Sequence, residues 1–439
     1  MQLLDLITIF IFALGIVIMG LSFSGKGRNM KSFFAAGGAV PWAMSGLSLF
    51  MGFFSAGTFV VWGSIAYSLG WIAISIQWTM AIAGFVVGFF IAPRWHKTSA
   101  LTVAEYITRR LGVNTQKTYT YLFLFISLFT TGSFLYPVAK IVEVSTGMPL
   151  DLCILLLGGF CIVYVAAGGL WAVVSTDVLQ FIILTAAVLI VVPLSFGRVG
   201  GVVNFIESIP ATYFNLVNGE YTIGFIIAFG VYNAIFLGGN WAYVQRYASV
   251  NSQSSARKVG FLFGGLYVVS AVLWMLPPMI YRIVNPSLST IDAEGAYLMM
   301  CKEVLPAGLL GLMLSGMVFA TASSLNATLN ISSGVVTNDI FKRLFPQSSD
   351  KTLMRVARIS TIIFGLLAII VALLIPLMGG IVNVVISVAA LTGVPLYLPI
   401  IWTLFSKRQT EYSVITTTLV SLGAVSYTHL RAHETCADL

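Results

Sequence analysis

The chain has 439 residues, of which 58% are hydrophobic and only 9% are charged. Its mean hydropathy of +0.97 excludes an ordinary soluble domain, because such a domain needs about a quarter charged residues. The formal net charge of +8 comes from Lys and Arg that lie mostly in short loops. This distribution indicates a membrane orientation and requires no nucleic-acid partner.

The apolar segments predict an all-α polytopic membrane protein, since runs of about 20 residues can cross a ~30 Å hydrocarbon core as helices. We predict a leading helix at 4–22, two halves at about 42–197 and 222–405, and a short extra helix at 411–425. The individual spans are 4–22, 42–66, 70–93, 118–146, 149–167, 171–197, 222–245, 258–283, 306–338, 354–378 and 380–405, and a twelfth begins near 411.

The loops between these spans divide into two classes by their basic residues. Most of the 23 Lys and Arg lie in the loops at 23–41, 94–117, 246–258, 339–358 and 406–411. Basic loops stay on the cytoplasmic side, so we expect the N-terminus outside and the chain in the cell membrane. The four Cys have no metal or disulfide spacing, and no nucleophile is paired with a base. An enzyme is therefore not expected.

The C-terminal segment SYTHLRAHETCADL (426–439) differs in character from the rest. It holds two of the three His and follows a helix that is too short to span a membrane. We expect this tail to be non-native, to end the helix at 425 and to lack packing against the other helices.

Two predicted spans carry glycines in their middle. GLSLFMGFFSAGTF (46–59) has three, and VYNAIFLGGNWAYVQR (231–246) has an adjacent pair with an Asn on either side. Gly-interrupted helices at matching places in two halves are typical of inverted-repeat transporters, whose site lies near the bilayer midplane. The alternative is that these glycines only allow neighbouring helices to pack closely.

The stretch FATASSLNATLNISSGVVTND (319–339) contains seven Ser or Thr and three Asn in an otherwise apolar chain. Ala320, Ser323 and Ser324 are spaced i, i+3 and i+4, so they share one helical face. Neutral oxygen groups suit a hard cation such as Na⁺, and a broken helix at FFSAG would supply free carbonyls. The alternative is that these Ser and Thr are small residues at helix interfaces.

Three motifs resemble the sodium:solute symporter family. They are GGFCIVYVAAGGLWAVVSTDVLQ (158–180), NWAYVQRYASVNSQSSARK (240–258) and LPAGLLGLMLSGMVFATASSLNATLNISSGVVTNDIF (305–341). The resemblance implies a leucine-transporter-like fold of two inverted five-helix repeats, with a leading extra helix and with the C-terminal helices truncated. It also implies a sodium-coupled symporter that imports a small polar solute by alternating access.

The resemblance further implies site residues. The principal Na⁺ site would comprise the carbonyls of Met51, Phe54 and Ala320 and the hydroxyls of Ser323 and Ser324. Asp177 would belong to a second Na⁺ site, in which Asn326 and Ala327 replace the family's hydroxyls; the alternative is a structural partner of nearby hydroxyls. The substrate-binding side chains would be Ser55, Thr58, Gln77, Asn233 and Phe236.

The nature of the solute depends on polar groups within the spans. Gln77 and Asn233 are amides in apolar runs, and an unpaired buried amide costs on the order of 1–3 kcal/mol. Each therefore needs a partner, which is either the solute or a neighbouring helix. No Lys or Arg is predicted near mid-membrane, so a neutral hydroxylated solute such as a sugar is favoured over an acid.

Two alternatives stay open. One is a symporter for an amino acid, sialic acid or another carboxylate, and the other is the symporter-like membrane domain of a sensor or receptor protein. We expect one Na⁺ per solute, because Ala327 offers a second ion no side-chain ligand. No oligomer is required.

Overall fold

The structure is a computed structural model that describes residues 2–24, 39–100, 102–378 and 381–437. Helices make up most of these ranges, and the strand-like pairing within them is one isolated bridge between Val40 and Val250. The all-α prediction is confirmed.

The helices follow one another with short connections. The α-helices are α1 (Leu3–Ser24), α2 (Trp42–Met51), α3 (Gly63–Leu69), α4 (Trp71–Val86), α5 (Ala92–Lys97), α6 (Val103–Leu111), α7 (Val113–Thr146), α8 (Leu150–Arg198), α9 (Val202–Ser208), α10 (Ile223–Gly239), α11 (Trp241–Ala248), α12 (Gln253–Val284), α13 (Thr290–Ala293), α14 (Ala296–Val304), α15 (Leu309–Val335), α16 (Lys342–Leu344), α17 (Asp350–Leu374), α18 (Ile381–Leu391), α19 (Leu398–Thr403) and α20 (Glu411–Ala437). π-Helical turns lie at Thr58–Trp62, Val87–Ile91, Val336–Phe341 and Thr392–Tyr397, and 3-10 turns at Ala211–Phe214 and Ile375–Met378.

The long helices form two packing groups. In the first, which we call the bundle, α4 packs on α10 and α12, and α12 also packs on α2 and α3. In the second, which we call the scaffold, α8 and α7 each pack on α15 and α17. The leading helix α1 lies against α8 and α15. Each group therefore combines helices from both halves of the chain.

Glycines bring α4 and α12 into direct backbone contact. A Cβ on Gly84 would lie 2.8 Å from the Cα of Gly264, and a Cβ on Gly260 would lie 2.5 Å from the Cα of Gly88. No side chain fits at such distances. Helix association in lipid depends on close packing of this kind, since lipid tails are as apolar as the helices themselves. These contacts hold the bundle together.

Both glycine-containing spans are interrupted, as the sequence predicted. α2 ends at Met51, and the π-helical turn Thr58–Trp62 leads into α3 after an irregular segment. α10 and α11 meet at Asn240 and are bent by 60° relative to each other. The first interruption opens the backbone over several residues, whereas the second is a sharp corner.

The helix α8 differs from the expectation. It continues without interruption over Leu150–Arg198, where the sequence predicted two spans, 149–167 and 171–197, separated at Gly168 and Gly169. Glycine lowers helix stability by roughly 1 kcal/mol but does not by itself end a helix. The adjacent glycines were therefore not a sufficient signal for a turn.

The C-terminal helix also differs from the expectation. α20 does not end at 425 but continues to Ala437. The segment from 426 to 437 contains neither Gly nor Pro, so no residue in it breaks the helix. The expected absence of packing from residue 428 onward concerns side chains that lie outside the described part.

Within the described residues, five helices are both long and apolar enough to cross a membrane, and the bent pair α10–α11 adds a sixth span. The five are Trp71–Lys97, Val113–Glu143, Val174–Arg198, Gln253–Val284 and Asp350–Met378. Shorter apolar helices of 10–17 residues lie within other predicted spans, among them Leu3–Gly15, Trp42–Met51 and Leu309–Thr321. The chain therefore has the apolar helices of a multi-pass membrane protein.

Candidate functional site

The opened segment after α2 lies against α15. The hydroxyl of Ser324 donates a 2.9 Å hydrogen bond to the carbonyl of Gly52, the first residue after α2. The N–H of Ala56 donates to Thr321 Oγ1 at 2.8 Å. The last carbonyls of a helix have no partners within it, so an interrupted helix in a buried position needs such contacts. A helix of the second half thus supports the interruption in the first half.

The predicted sodium ligands adjoin this contact. Met51 directly precedes Gly52, and Ala320 lies one helical turn before Ser324; Met51 and Ala320 are fully buried, as is Phe54 in the opened segment. The carbonyl that Ser324 contacts is that of Gly52, which the sequence did not single out. The side chain of Ser323 lies outside the described residues.

A small cavity lies beside this contact. It measures about 10 Å³, which is room for roughly one water-sized particle. It is lined by Ser48, Gly52, Phe134, Asn240, Ala242, Tyr243, Arg246, Ser324, Ala327 and Thr328. The hydroxyls and the carbonyl among these groups are the oxygen donors that a hard cation prefers, so the residues present fit a Na⁺ ion.

Asp177 lies at the boundary between bundle and scaffold, fully buried. Ser48 donates a hydrogen bond to its carboxylate, and Ser48 Oγ accepts a 2.9 Å hydrogen bond from Arg246 Nε. The Nη1 of Arg246 donates to Gln245 Oε1 at 3.1 Å. These contacts agree with the alternative in which Asp177 is the structural partner of a hydroxyl.

The second sodium site that the sequence considered at Asp177 receives no side-chain ligand from one of its two expected positions on α15. Ala327 is buried and carries no side-chain oxygen, and the side chain of Asn326 lies outside the described residues. The structure brings the hydroxyl of Ser48 on α2 to Asp177.

Two predicted substrate residues lie on different helices, Gln77 on α4 and Asn233 on α10. Asn233 Nδ2 donates to Thr79 Oγ1 at 2.8 Å, so a neighbouring helix satisfies this amide. Gln77 precedes Ala81 and Gly84 by four and seven residues, and therefore shares the face that packs on α12. Gln77 Nε2 is buried and has no hydrogen-bond partner among the described residues. The structure therefore does not bring these two amides together.

Ser55 and Thr58 both lie in or just after the opened segment and are buried. The hydroxyl of Thr58 donates to the carbonyl of Phe53, and the N–H of Thr58 donates to the carbonyl of Ser55 at 3.0 Å. In this arrangement, the hydroxyl of Thr58 satisfies a carbonyl of the interrupted backbone.

Aromatic rings surround the opened segment. The ring of Phe236 lies 6.1 Å from that of Phe53 and 5.6 Å from that of Tyr243. Phe53 also lies 4.7 Å from Tyr243 and 5.2 Å from Phe263. The sequence predicted Phe236 here but missed Tyr243 and Phe263, because their contacts join helices distant in the chain. The position of Tyr243 in the first turn after the bend was the one available signal.

The chain matches a known protein family over most of its length. Residues 33–420 match the model of the sodium:solute symporter family. This chain belongs to that family. It is 28% identical over 419 residues to a sodium/glucose cotransporter of Vibrio parahaemolyticus, with 86% of this chain and 76% of that protein covered. It is 25% identical over 458 residues to sodium/glucose cotransporter 1 of Mus musculus, with 93% and 68% covered.

Solved structures agree on the fold of this symporter. A Na⁺-coupled sialic acid symporter in a substrate-bound outward-open state matches with a TM-score of 0.83 at 20% identity, covering 97% of this chain and 96% of that one. A nucleobase-cation-symport-1 family transporter matches with a TM-score of 0.57 at 15% identity, covering 90% and 93%. The predicted leucine-transporter-like fold is confirmed.

Family membership establishes several coarser properties. The protein is a multi-pass membrane transporter and not an enzyme, its coupling ion is Na⁺, and it carries a solute together with that ion.

Proposed function

We propose that this symporter imports a small, neutral, hydroxylated solute such as a sugar across the cell membrane, with one Na⁺ per solute. The observation that carries the proposal is the hydrogen bond between Ser324 of the scaffold and Gly52 of the bundle. A Na⁺ ion held by oxygens on both sides would stabilise one arrangement of the two groups relative to the other. Ion binding would thereby be coupled to the movement that exposes the solute site.

Several features support a neutral solute. The buried amide of Gln77 lacks a partner among the described residues for its Nε2 donor, and a solute hydroxyl could accept that hydrogen bond. Phe53 and Phe236 offer ring faces beside the opened segment. Among the described side chains, Arg246 is the one fully buried Lys or Arg, and it is already bonded to Ser48 and Gln245. The buried cation among the described side chains therefore already has protein partners.

The relatives point to the same class of solute. Besides the sodium/glucose cotransporters, a sodium/myo-inositol cotransporter 2 of Oryctolagus cuniculus is 26% identical over 407 residues, with 83% of this chain and 60% of that protein covered. Both named solutes are small neutral molecules rich in hydroxyls. The basic loops favour an outside N-terminus, and a single chain supplies all the proposed ligands, so no oligomer is required.

A ligand screen on the purified protein tests the solute class. We expect a neutral sugar or polyol to raise the thermal unfolding temperature in NaCl, and to do so much less in choline chloride at equal ionic strength. The panel includes sialic acid, amino acids and simple carboxylates. If only a carboxylate raises the unfolding temperature, the proposal of a neutral solute is contradicted. If the solute raises it equally in NaCl and in choline chloride, coupling through this sodium site is contradicted.

The coupling ratio is tested by reversal potentials in proteoliposomes. With one Na⁺ and a neutral solute, each cycle moves one charge inward, and a 100 mV potential adds roughly 2.3 kcal/mol of driving force. We expect the reversal potential to follow the line for a 1:1 ratio as the sodium gradient changes. A slope for two ions would contradict this ratio and would favour a second site at Asp177.

A further inference from the structure

A positively charged side chain of the protein lines the proposed sodium cavity. Arg246 lines the same cavity as Ser324 and Gly52, and it is only 3% exposed. Two like charges in a medium of low dielectric repel each other strongly. A buried guanidinium would therefore weaken Na⁺ binding in this cavity unless a nearby negative group balanced its charge.

The geometry identifies Asp177 as that group. Ser48 donates its one proton to the Asp177 carboxylate and accepts a hydrogen bond from Arg246 Nε at 2.9 Å, so one hydroxyl joins the two charges. Asp177 is 0% exposed. The other buried carboxylate among the described side chains, Asp5, instead accepts hydrogen bonds from the N–H groups of Gly308 and Gly311 at the start of α15.

We propose that Asp177 is the counter-ion of Arg246, linked to it through Ser48, and that this pair sets the Na⁺ affinity of the adjacent cavity. The inference rests on the proposed sodium site at Ser324. It gives Asp177 the role of compensating charge and not that of ligating a second Na⁺. Arg246 becomes a positioning residue that acts on the ion through its charge.

The pair also crosses the boundary between the two packing groups. Arg246 lies on α11 and Ser48 on α2, which packs on α12 in the bundle, whereas Asp177 lies on α8 in the scaffold. Moving bundle and scaffold apart here would separate two buried opposite charges, which is unfavourable. The pair therefore opposes separation of the two groups at this place.

Charge balance predicts effects of opposite sign for the two partners. Arg246→Gln leaves the negative charge of Asp177 beside the cavity, so Na⁺ should bind more tightly. Asp177→Asn leaves the positive charge of Arg246, so Na⁺ should bind more weakly. Each change should be at least about tenfold, since at an effective dielectric of about 20 a unit charge even ~12 Å away alters the affinity by about tenfold, and a nearer charge alters it more. The double variant carries two neutral amides and should return to within about threefold of the wild type.

Direct binding of radioactive Na⁺ to the purified, monodisperse protein measures these affinities without knowledge of the solute. Arg246→Lys is the matched control, because it keeps the charge and should stay near the wild type. If the double variant binds Na⁺ as weakly as Asp177→Asn alone, the proposal is overturned. That result is expected if Asp177 is a Na⁺ ligand, because removing Arg246 cannot restore a lost ligand. Weaker binding in Arg246→Gln would overturn it as well.

Two further variants keep the test decisive. If Asp177→Asn is not obtained as folded protein, Ser48→Ala breaks the link and keeps both charges; it should weaken Na⁺ binding in the wild type but not in an Arg246→Gln background. Weakening in both backgrounds would make Ser48 itself a ligand and would contradict the link. Ser324→Ala tests the sodium site separately: unchanged Na⁺ affinity there would refute the proposed site, whatever the charge pair does.

Discussion

The two interrupted helices solve the same problem of unpaired backbone groups in different ways. At the first, between Met51 and the turn at 58–62, the partners come from α15: Ser324 bonds the carbonyl of Gly52, and Thr321 accepts from the N–H of Ala56. The partners lie more than 260 residues away in the chain. This interruption depends on a tertiary contact between the halves.

At the second interruption, the partners are mainly local. The side chain of Asn240 accepts a 2.9 Å hydrogen bond from the N–H of Ala242 and so caps α11. The carbonyl of Asn240 accepts from the N–H groups of Tyr243 and Val244 at 3.0 and 2.9 Å. The one longer-range contact is that of Asn240 Nδ2 with the hydroxyl of Tyr397 at 3.3 Å. A single residue forms the corner and satisfies most of its own backbone.

The difference indicates which interruption is suited to respond to an ion. At the first, a cation can replace a hydroxyl proton as the partner of a carbonyl, and the exchange alters contacts between bundle and scaffold. At the second, the helix cap stabilises the corner whether or not an ion is present. We therefore expect changes to the backbone contacts of the first interruption to alter mainly sodium dependence, and changes to the helix cap of the second to alter mainly stability.

The largest effect is expected from Ser324→Ala. The variant removes the hydroxyl that contacts Gly52 and the proposed ligand of Na⁺. A hydrogen bond or ligand that involves a charge contributes about 1.5–3 kcal/mol, so the Na⁺ concentration for half-maximal binding should rise at least about tenfold. Radioactive Na⁺ binding measures this shift, and sodium titrations of solute uptake in proteoliposomes provide a second reading.

The matched control for this variant is Ser315→Ala. Ser315 is a buried residue of the same helix whose hydroxyl donates to the carbonyl of Gly311, far from the interruption. We expect its Na⁺ affinity to stay near that of the wild type. If Ser315→Ala and Ser324→Ala shift the affinity equally, the loss comes from α15 in general and not from the proposed site.

A smaller effect is expected from Thr321→Val. This substitution keeps the shape of the side chain but leaves the buried N–H of Ala56 without its acceptor, at a cost of about 1–3 kcal/mol. The unfolding temperature should fall, and Na⁺ affinity should fall severalfold because the opened segment is less well held. Thr321→Ser restores an oxygen and should recover both. A valine variant with unchanged stability would show that Ala56 finds another partner.

Both interruptions could be predicted from the sequence, because the residue patterns that indicate them are local in the chain. Glycines in matched spans predicted both interruptions, and the i, i+3, i+4 spacing placed Ser324 on one face with Ala320. The sequence named the carbonyls of Met51 and Phe54, and it could not predict that Ser324 would contact the carbonyl of Gly52. That choice depends on how far α2 extends before it opens, and packing against α15 decides it.

Other features were missed because they depend on contacts between distant helices. Arg246 was part of a recognised motif, yet its bond to Ser48 joins residues 198 positions apart. Asn233 was expected to need a partner, and the structure provides Thr79, 154 positions away. Composition and spacing predict that a buried polar group needs a partner, but they do not identify it.

The second interruption should lose stability when its cap is removed. Asn240→Ala deletes the acceptor for the N–H of Ala242, and the loss of such an N-cap costs typically about 1 kcal/mol. Thermal unfolding should show a lower midpoint, while Na⁺ affinity should change less than in Ser324→Ala, although Asn240 also lines the cavity. Asn240→Asp keeps the cap and should retain most of the stability. A tenfold loss of Na⁺ affinity in the alanine variant would mean that both interruptions sense the ion.

The smallest effect is expected from Tyr397→Phe. This variant removes the hydroxyl that accepts from Asn240 Nδ2 but leaves the ring, which lies 6.1 Å from that of Phe236. The 3.3 Å hydrogen bond is long, and a net contribution of about 0.5 kcal/mol is expected, at the low end for neutral groups. The unfolding midpoint should therefore fall less than in Asn240→Ala, and the double variant should be no less stable than Asn240→Ala alone, because both changes remove one shared bond. Additive losses would instead show that Tyr397 stabilises the corner independently of Asn240.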